Sequence, residues 1–290
     1  MPRADHMPQS LILNLTAQSA IPPKHLQGYS LQQLFINLVE IVDPELGRVL
    51  RRDKENYSYS LSAIQSDIKR EANTLHFSHS NTLSAQTECW WRISFLDDAL
   101  LDHLVYLWNQ IRDEIFQLGS SSVKVVRITT GSHYAVHADS CSYQDIYEQA
   151  SDDERDIHLR FLTPTAFKHS DAIIPLPTAE AVFHPLRKHW NRYSGLAFTP
   201  SLIESITPTH FDIQTSSIQT IRRQSQQTIT GCTGRISFRI GNKADPLIIK
   251  RINTLADFTQ YCGVGFNSRL GMGIVQRLKA AALQQQRKIN

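Results

Sequence analysis

Apolar positions in the first third of the chain change period in a way that sketches a fold. Leu11-Ile12-Leu13-Asn14-Leu15-Thr16 reads as a strand, after a loose leader over residues 1–9. Leu31, Leu34, Phe35, Leu38 and Val42 then recur at i, i+3, i+4, i+7 and i+11, one face of a helix that packs on a sheet. Ser30 is its expected opening, with Gln33 completing a capping box. Asp43-Pro44 reads as a second N-cap with proline at the first helical position, starting a short helix to about Leu50. Tyr57–Ser62, Leu75–Phe77 and Trp91–Phe95 read as strands. Leu100, Leu101, Leu104, Val105, Trp108 and Ile111 mark a further helix, and β-branched Ser122–Ile128 a further strand. That order is β-α-β-β-α-β, the ferredoxin-like unit.

The second half repeats the pattern less clearly. Acidic Ser151-Asp152-Asp153-Glu154 is the expected linker, dividing the chain into residues 1–150 and 151–290. Beyond it, a strand at Ile157–Leu162 precedes a helix from about Thr178 to Tyr193. Strands follow near Phe211–Ile213, Ile218–Arg222 and Gly234–Ile240. A last helix carries Leu255, Phe258 and Cys262, with Thr254 as N-cap and Gly263 as its stop. The expected class is α+β.

Composition narrows the function classes. Hydrophobic residues at 41% and charged residues at 20% indicate a soluble globular protein. A net charge of +3 suits a nucleic-acid partner only where the charge is clustered. Clusters occur at Arg48-Arg51-Arg52-Lys54, Arg187-Lys188-Arg192, Arg222-Arg223 and Lys250-Arg251. The four cysteines form no CxxC pair, which argues for reduced thiols rather than a disulfide framework or zinc knuckle. With no signal peptide and no apolar run of membrane-spanning length, a cytoplasmic location is expected. His133, His137 and Asp139 have a metal-like spacing, but Gly131-Ser132 argues for a turn there. No metal or other cofactor is expected.

The densest motif lies near the C-terminus, where Gly263-Val264-Gly265 and Gly271-Met272-Gly273 flank a five-residue spacer carrying Arg269. Consecutive N–H groups in such a turn can form an anion-binding concavity, and Arg269 would add a bidentate phosphate donor. Neither a P-loop nor a dinucleotide fingerprint fits, because no Gly-Lys-Ser/Thr follows and the spacing differs. Arg235 and Arg239 alternate with Ile236 and Phe238, so both cations share one face of a strand. Arg187, Lys188 and Arg192 lie opposite Phe183, Leu186 and Trp190 on their helix.

The glycine loop resembles that of the CRISPR-associated repeat-processing endoribonucleases of the RAMP superfamily. Two further stretches resemble the same family: Phe161–Phe167 continuing through Pro175-Leu176-Pro177 to Trp190-Asn191, and the run from Gly28 through Asp43-Pro44-Glu45-Leu46 to Tyr59–Ser62. Together they span roughly residues 20–275. The resemblance implies two tandem ferredoxin-like domains. It also implies binding of CRISPR repeat RNA, and metal-free cleavage to a 2′,3′-cyclic phosphate and a 5′-hydroxyl. Retention of the crRNA with other effector-complex subunits is a further implication. Gly263, Gly265, Arg269, Gly271 and Gly273 are then RNA-binding candidates, as are Arg235, Arg239, Arg187, Lys188 and Arg192.

One branch of that family carries Gly-Arg-x-Leu-His at the first helix and Leu-His where the second ends. Here Gly28 and Leu31 match, but Tyr29 stands for the arginine, Gln32 for the first histidine and Arg51 for the second. Tyr29, Arg51, Lys54 and His25 are therefore the catalytic candidates. Arginine stays charged at neutral pH, so Arg51 suits the phosphorane better than proton transfer. A crRNA-binding subunit that cleaves feebly or not at all is the alternative.

Overall fold

The computed structural model describes residues 7–52, 58–66, 75–97, 111, 113–130, 139–222 and 225–279. The first apolar run becomes β1 (Gln9–Ala17), which buries Leu11, Leu13 and Leu15 on one face. Across that face lies α1 (Tyr29–Val42), burying Leu31, Leu34, Phe35 and Leu38 as the helical spacing requires. Its N-cap is Gly28 at φ 68°, with no side-chain cap. The expected capping box does not form, because the Ser30 hydroxyl bonds His25 instead. Asp43 does cap as expected: Oδ1 accepts from the Glu45 and Leu46 N–H groups at 2.9 and 3.0 Å, opening α2 (Pro44–Arg52).

Four more strands complete the first sheet: β2 (Tyr59–Leu61), β3 (Glu88–Phe95), β4 (Ile115–Leu118) and β5 (Ser121–Thr130). They pair antiparallel in the order β2-β3-β1-β5-β4, with β6 (Asp139–Ser140) beside the start of β1. The β2-β3-β1-β5 core is the ferredoxin-like order, and β4 is a hairpin extension that turns Phe116 and Leu118 inward. Leu75–Phe77 is irregular rather than a strand. The Gln65 amide donates to the His76 carbonyl at 2.7 Å and accepts its N–H at 2.8 Å, taking the place of a ladder partner. The helix expected through Leu100 and Trp108 lies outside the described residues, as do His133 and His137.

A short α3 (Tyr143–Gln149) leads to the second sheet. This half contains β7 (Asp156–Thr165), β8 (Phe167–His169), β9 (Ala172–Ile174), α4 (Ala179–Tyr193), β10 (Ile206–Arg222), β11 (Ser225–Ile240), α5 (Pro246–Cys262) and β12 (Val275–Leu278). Strand order β10-β11-β7-β12, with α4 and α5 as connections, is β-α-β-β-α-β again. Phe211–Ile213 and Ile218–Arg222 belong to one long strand, since Gln214–Ser217 continue the ladder with β11. Helix α5 starts well before Leu255 and is capped by Asp245. Thr254 lies inside it and donates to the Lys250 carbonyl at 2.8 Å.

The two halves are tied together. Ser151–Glu154 is held rather than loose: the Asn253 amide donates to the Ser151 and Glu154 carbonyls at 3.1 and 2.8 Å. Buried Arg92 of β3 donates to the Gln260 carbonyl, and Ser60 to the Tyr261 carbonyl at 3.1 Å. Both carbonyls lie in the last turn of α5, where a cation is favoured by the helix dipole. On the faces turned away from the helices, Ile12 and Trp90 of the first sheet pack on Leu162 and Ile274 of the second half. Among the described residues no helix is long and apolar enough to cross a membrane.

Candidate nucleic-acid interface

The glycine-rich loop begins where Gly263, at φ 69°, ends α5. Its glycines are required by close backbone approach. A Cβ on Gly273 (φ 72°) would lie 2.0 Å from the Val264 carbonyl oxygen, and one on Gly265 (φ 82°) 2.4 Å from that of Ala166. Gly271 lies against the Ala63 backbone and the Phe77 ring. Part of the expected cradle of amides is closed. The N–H groups of Val264, Phe266, Leu270 and Gly273 already donate to the carbonyls of Gly273, Ala166, Asn267 and Pro164. What the loop presents is the Arg269 side chain, held in place because Gly28 N–H donates to the Leu270 carbonyl at 3.2 Å. That bond ties the loop to the start of α1.

Arg269 lines a groove of ≈ 420 Å³ between the loop and α4. Gly265, Phe266 and Asn267 share its loop side, and Lys188 and Arg192 line it from α4. Helix α4 is capped by Thr178, whose hydroxyl oxygen accepts from Ala181 N–H at 3.1 Å. Its Val182, Phe183, Leu186 and Trp190 are buried in the core, which leaves the 180-184-188-192 stripe for the groove. With Lys168 of β8, four cations face the single carboxylate of Glu180. The structure thus brings Lys188, Arg192, Gly265 and Arg269 together. Arg187 is turned elsewhere: it donates to the Phe198 carbonyl at 3.0 Å and, with Asn191, holds the segment after α4.

Two histidines of this groove escaped the sequence reading. His184 Nδ1 lies 2.9 Å from Glu180 Oε1. His189 is pushed down to about 4, first by burial and then by the charges of Arg192 and Lys188, so it is neutral at neutral pH. The four-residue spacing of Glu180, His184, Lys188 and Arg192 after a Thr cap was the signal that could have found the whole stripe.

The other candidates lie apart from the groove. Arg235 and Arg239 stand on β11 in register with Arg160 and Asp156 of β7. Arg239 is ion-paired with Asp156 at 3.3 Å. Tyr29, half-exposed, is the first residue of α1, immediately after the Gly28 tie. Arg51 is engaged by α1: Nε and Nη2 donate to the Glu40 carboxylate at 2.8 and 2.6 Å, Nη1 to Gln33 at 3.0 Å and Nη2 to Asn37 at 3.3 Å. These bonds hold the Glu40 carboxyl below the usual carboxylate range and raise the guanidinium above its own. Tyr29 also acts on Arg51 electrostatically, so the two are neighbours.

His25, a catalytic candidate, bonds serines on either side. Ser120 N–H donates to its Nε2 at 3.3 Å, so Nδ1 carries the hydrogen and donates to Ser30 Oγ at 3.0 Å. Burial and then the Lys24 charge lower its pKa, fixing a neutral ring against the β4–β5 turn. Lys54 lies outside the described residues.

Residues 7–148 match the model of the CRISPR Cas6 N-terminal domain, and residues 159–275 that of the CRISPR-associated endoribonuclease Cas6. The chain belongs to the Cas6 family. No curated protein matches it by sequence. A Cas6 product complex from Thermus thermophilus has a similar structure, with a TM-score of 0.76 and 20% identity over 93% of this chain and 100% of its own. A Cas6 substrate mimic complex follows at 0.66, with 19% identity over 94% and 100%. A Cas6-related protein from Pyrococcus furiosus gives 0.57, with 12% identity over 94% and 99%. At these identities the likeness is one of fold: the Cas6 arrangement of two ferredoxin-like domains in tandem. At the two positions where the resemblance led to an expected histidine, Gln32 donates to the Tyr59 hydroxyl at 3.5 Å and Arg51 clamps α2 to α1.

Proposed function

We propose that this chain binds CRISPR repeat RNA along the groove between α4 and the glycine-rich loop and cuts it once without a metal ion. The observation that carries the reading is the junction at Leu270. There a groove lined by Lys168, Lys188, Arg192 and Arg269 adjoins the start of α1 and Tyr29. Solved Cas6 relatives include a product complex and a substrate mimic complex, which supports the same substrate class. The reaction is attack of a ribose 2′-oxygen on the adjacent phosphorus with departure of the 5′-oxygen. It leaves a 2′,3′-cyclic phosphate and a 5′-hydroxyl. Arg269 stabilises the phosphorane charge, and the Tyr29 hydroxyl takes part in proton transfer at the reacting oxygens. Arg51 acts at one remove, by fixing α2 against the helix that carries Tyr29. The division between catalytic and RNA-gripping halves falls near residue 150. The cut RNA stays bound and passes, in the cytoplasm, into an effector complex with other subunits.

A second reading, a repeat-binding subunit that retains RNA without cutting it, is favoured by the engagement of Arg51 and His25 in structural bonds. Incubation with the host repeat RNA in EDTA decides between them. The expected result is one cut with a cyclic-phosphate end, slowed about 100-fold or more by Tyr29→Phe. Lys188→Ala with Arg192→Ala weakens binding. Tight binding by the wild type with no cut moves the chain to the second reading.

A further inference from the structure

The groove lies on the helix-covered side of the second sheet, and the opposite side has an unsatisfied row of its own. Ile157, Leu159 and Phe161 of β7 face the core with α4 and α5, so His158, Arg160 and Leu162 face the other way. Arg160 stands in register with Arg235 on β11 and with Gln276 on β12, placing three polar side chains in one row across three strands. Directly opposite like charges on one sheet face cost stability. Nearby arginines of this half have solved that problem: Arg239 pairs with Asp156, and Arg277, on the core side, with Glu154 and Asp257. Among the described residues Arg160 and Arg235 have no such partner. Asp212, the next residue along the row, is exposed and makes no ion pair with Arg235. Burial, and then the Arg235 charge, press the Arg160 guanidinium below its ordinary pKa.

At the other end of the row, the side-chain oxygen of Gln276 is buried without a hydrogen-bond partner. A buried acceptor left unmade costs its desolvation. Two forked cations beside an orphan acceptor match a ligand with an anionic oxygen cluster next to a hydroxyl donor. A ribonucleotide phosphodiester has both, since its 2′-OH donates as well as accepts. The neighbouring row, Leu162 and Ile274, packs on Ile12 and Trp90, so the arginine pair borders the place where the two open faces meet.

We propose that Arg160, Arg235 and Gln276 form a second RNA contact, which holds a phosphate of a single-stranded segment and recognises its 2′-OH. This rests on the repeat-RNA reading above and extends it, because the two contacts lie on opposite faces of one sheet and must hold different stretches of RNA. Fluorescence anisotropy of labelled repeat RNA over a salt series tests it, with thermal melts confirming that each variant folds. Arg160→Ala and Arg235→Ala each weaken binding and lower the log affinity against log salt slope by about 0.7–1. Gln276→Met leaves the slope unchanged but removes the wild-type preference for RNA over the same strand carrying 2′-deoxy sugars in its single-stranded segment. Wild-type affinity and slope in the Arg160→Ala, Arg235→Ala double variant overturn this contact, while loss of binding in Lys188→Ala, Arg192→Ala keeps the groove reading. A wild type that does not bind repeat RNA overturns both. Thermal stabilisation of the wild type by inorganic phosphate, absent in the double arginine variant and with no RNA effect, assigns the row to a free anion instead.

Discussion

At the scale of single residues, what an arginine does here follows from how far it is buried and what it meets. Arg277 donates to Glu154 at 2.7 Å and lies 2.9 Å from an Asp257 oxygen, and its Nη groups also donate to Asn253. Its side chain is only 8% exposed. Arg277→Ala leaves the Asp257 carboxyl, already raised by burial, without its cation. The expected loss is about 3–5 kcal/mol, read from urea unfolding. A loss below about 1 kcal/mol contradicts the assignment. The Arg51–Glu40 pair, far more exposed, belongs to the class worth about 0–1 kcal/mol. Nothing in the letters separates these arginines. Each is flanked by one apolar and one polar residue, Leu50 and Arg52 or Leu278 and Gln276, and only the packed structure decides which one is dry. Arg160 passed unnoticed in the sequence for the same reason, since its like-charged neighbour is remote along the chain and adjacent only through strand pairing.

At the scale of elements, the glycine-rich loop shows a motif whose glycines are required by close backbone approach. Gly263, Gly265 and Gly273 stand where an added Cβ would meet a carbonyl oxygen at 3.2, 2.4 and 2.0 Å, and Gly271 where it would meet the Ala63 backbone at 3.2 Å. Gly273→Ala forces a Cβ against the Val264 oxygen at a positive φ, so the loop must open and Arg269 leaves the groove. Gly28, at φ 68° and ψ −138°, meets nothing within 4 Å, so Gly28→Ala carries only the backbone cost, about 1–3 kcal/mol. The expected outcome is a much larger drop in melting temperature, and a larger loss of RNA affinity, for Gly273→Ala than for Gly28→Ala. Equal effects would mean that loop closure is not what the glycine secures. Helices α1 and α4 were legible because an amphipathic period survives in the letters. The start of α5 was not: its first turns carry Leu247 exposed and Ile249 buried in a mixed pattern, and Asp245 was overlooked as the cap.

At the scale of the molecule, several histidines are held neutral by the fold, which makes stability depend on pH. His189 is depressed from 6.5 to about 4, and burial also lowers His25 and His79. The unfolded chain takes up a proton as pH falls below 6.5, while folded His189 does not until about 4. Its contribution is therefore complete above pH 6.5 and is lost as pH falls toward about 4. On the order of 3 kcal/mol goes in that window, from the 1.36 kcal/mol carried by each pKa unit. Melting temperature should fall across it in the wild type and fall less steeply in His189→Gln. An unchanged slope would remove His189 from the account.

By itself the sequence determined the α+β class and, because side-chain period is a local property set by backbone geometry, the order of most described elements, although it divided β10 in two and left out β12. It also located the glycine loop and the cations of α4, though not the stripe that Lys188 and Arg192 share with Glu180 and His184. The tertiary structure alone decided which cations share a groove, which histidines lose their charge, and that Arg51 and His25 are engaged in packing. It also placed Arg160 beside Arg235 with the Gln276 acceptor unmet. Those outcomes depend on burial and on contacts between residues remote in the chain, where dielectric and distance, rather than spacing along the sequence, set the energy.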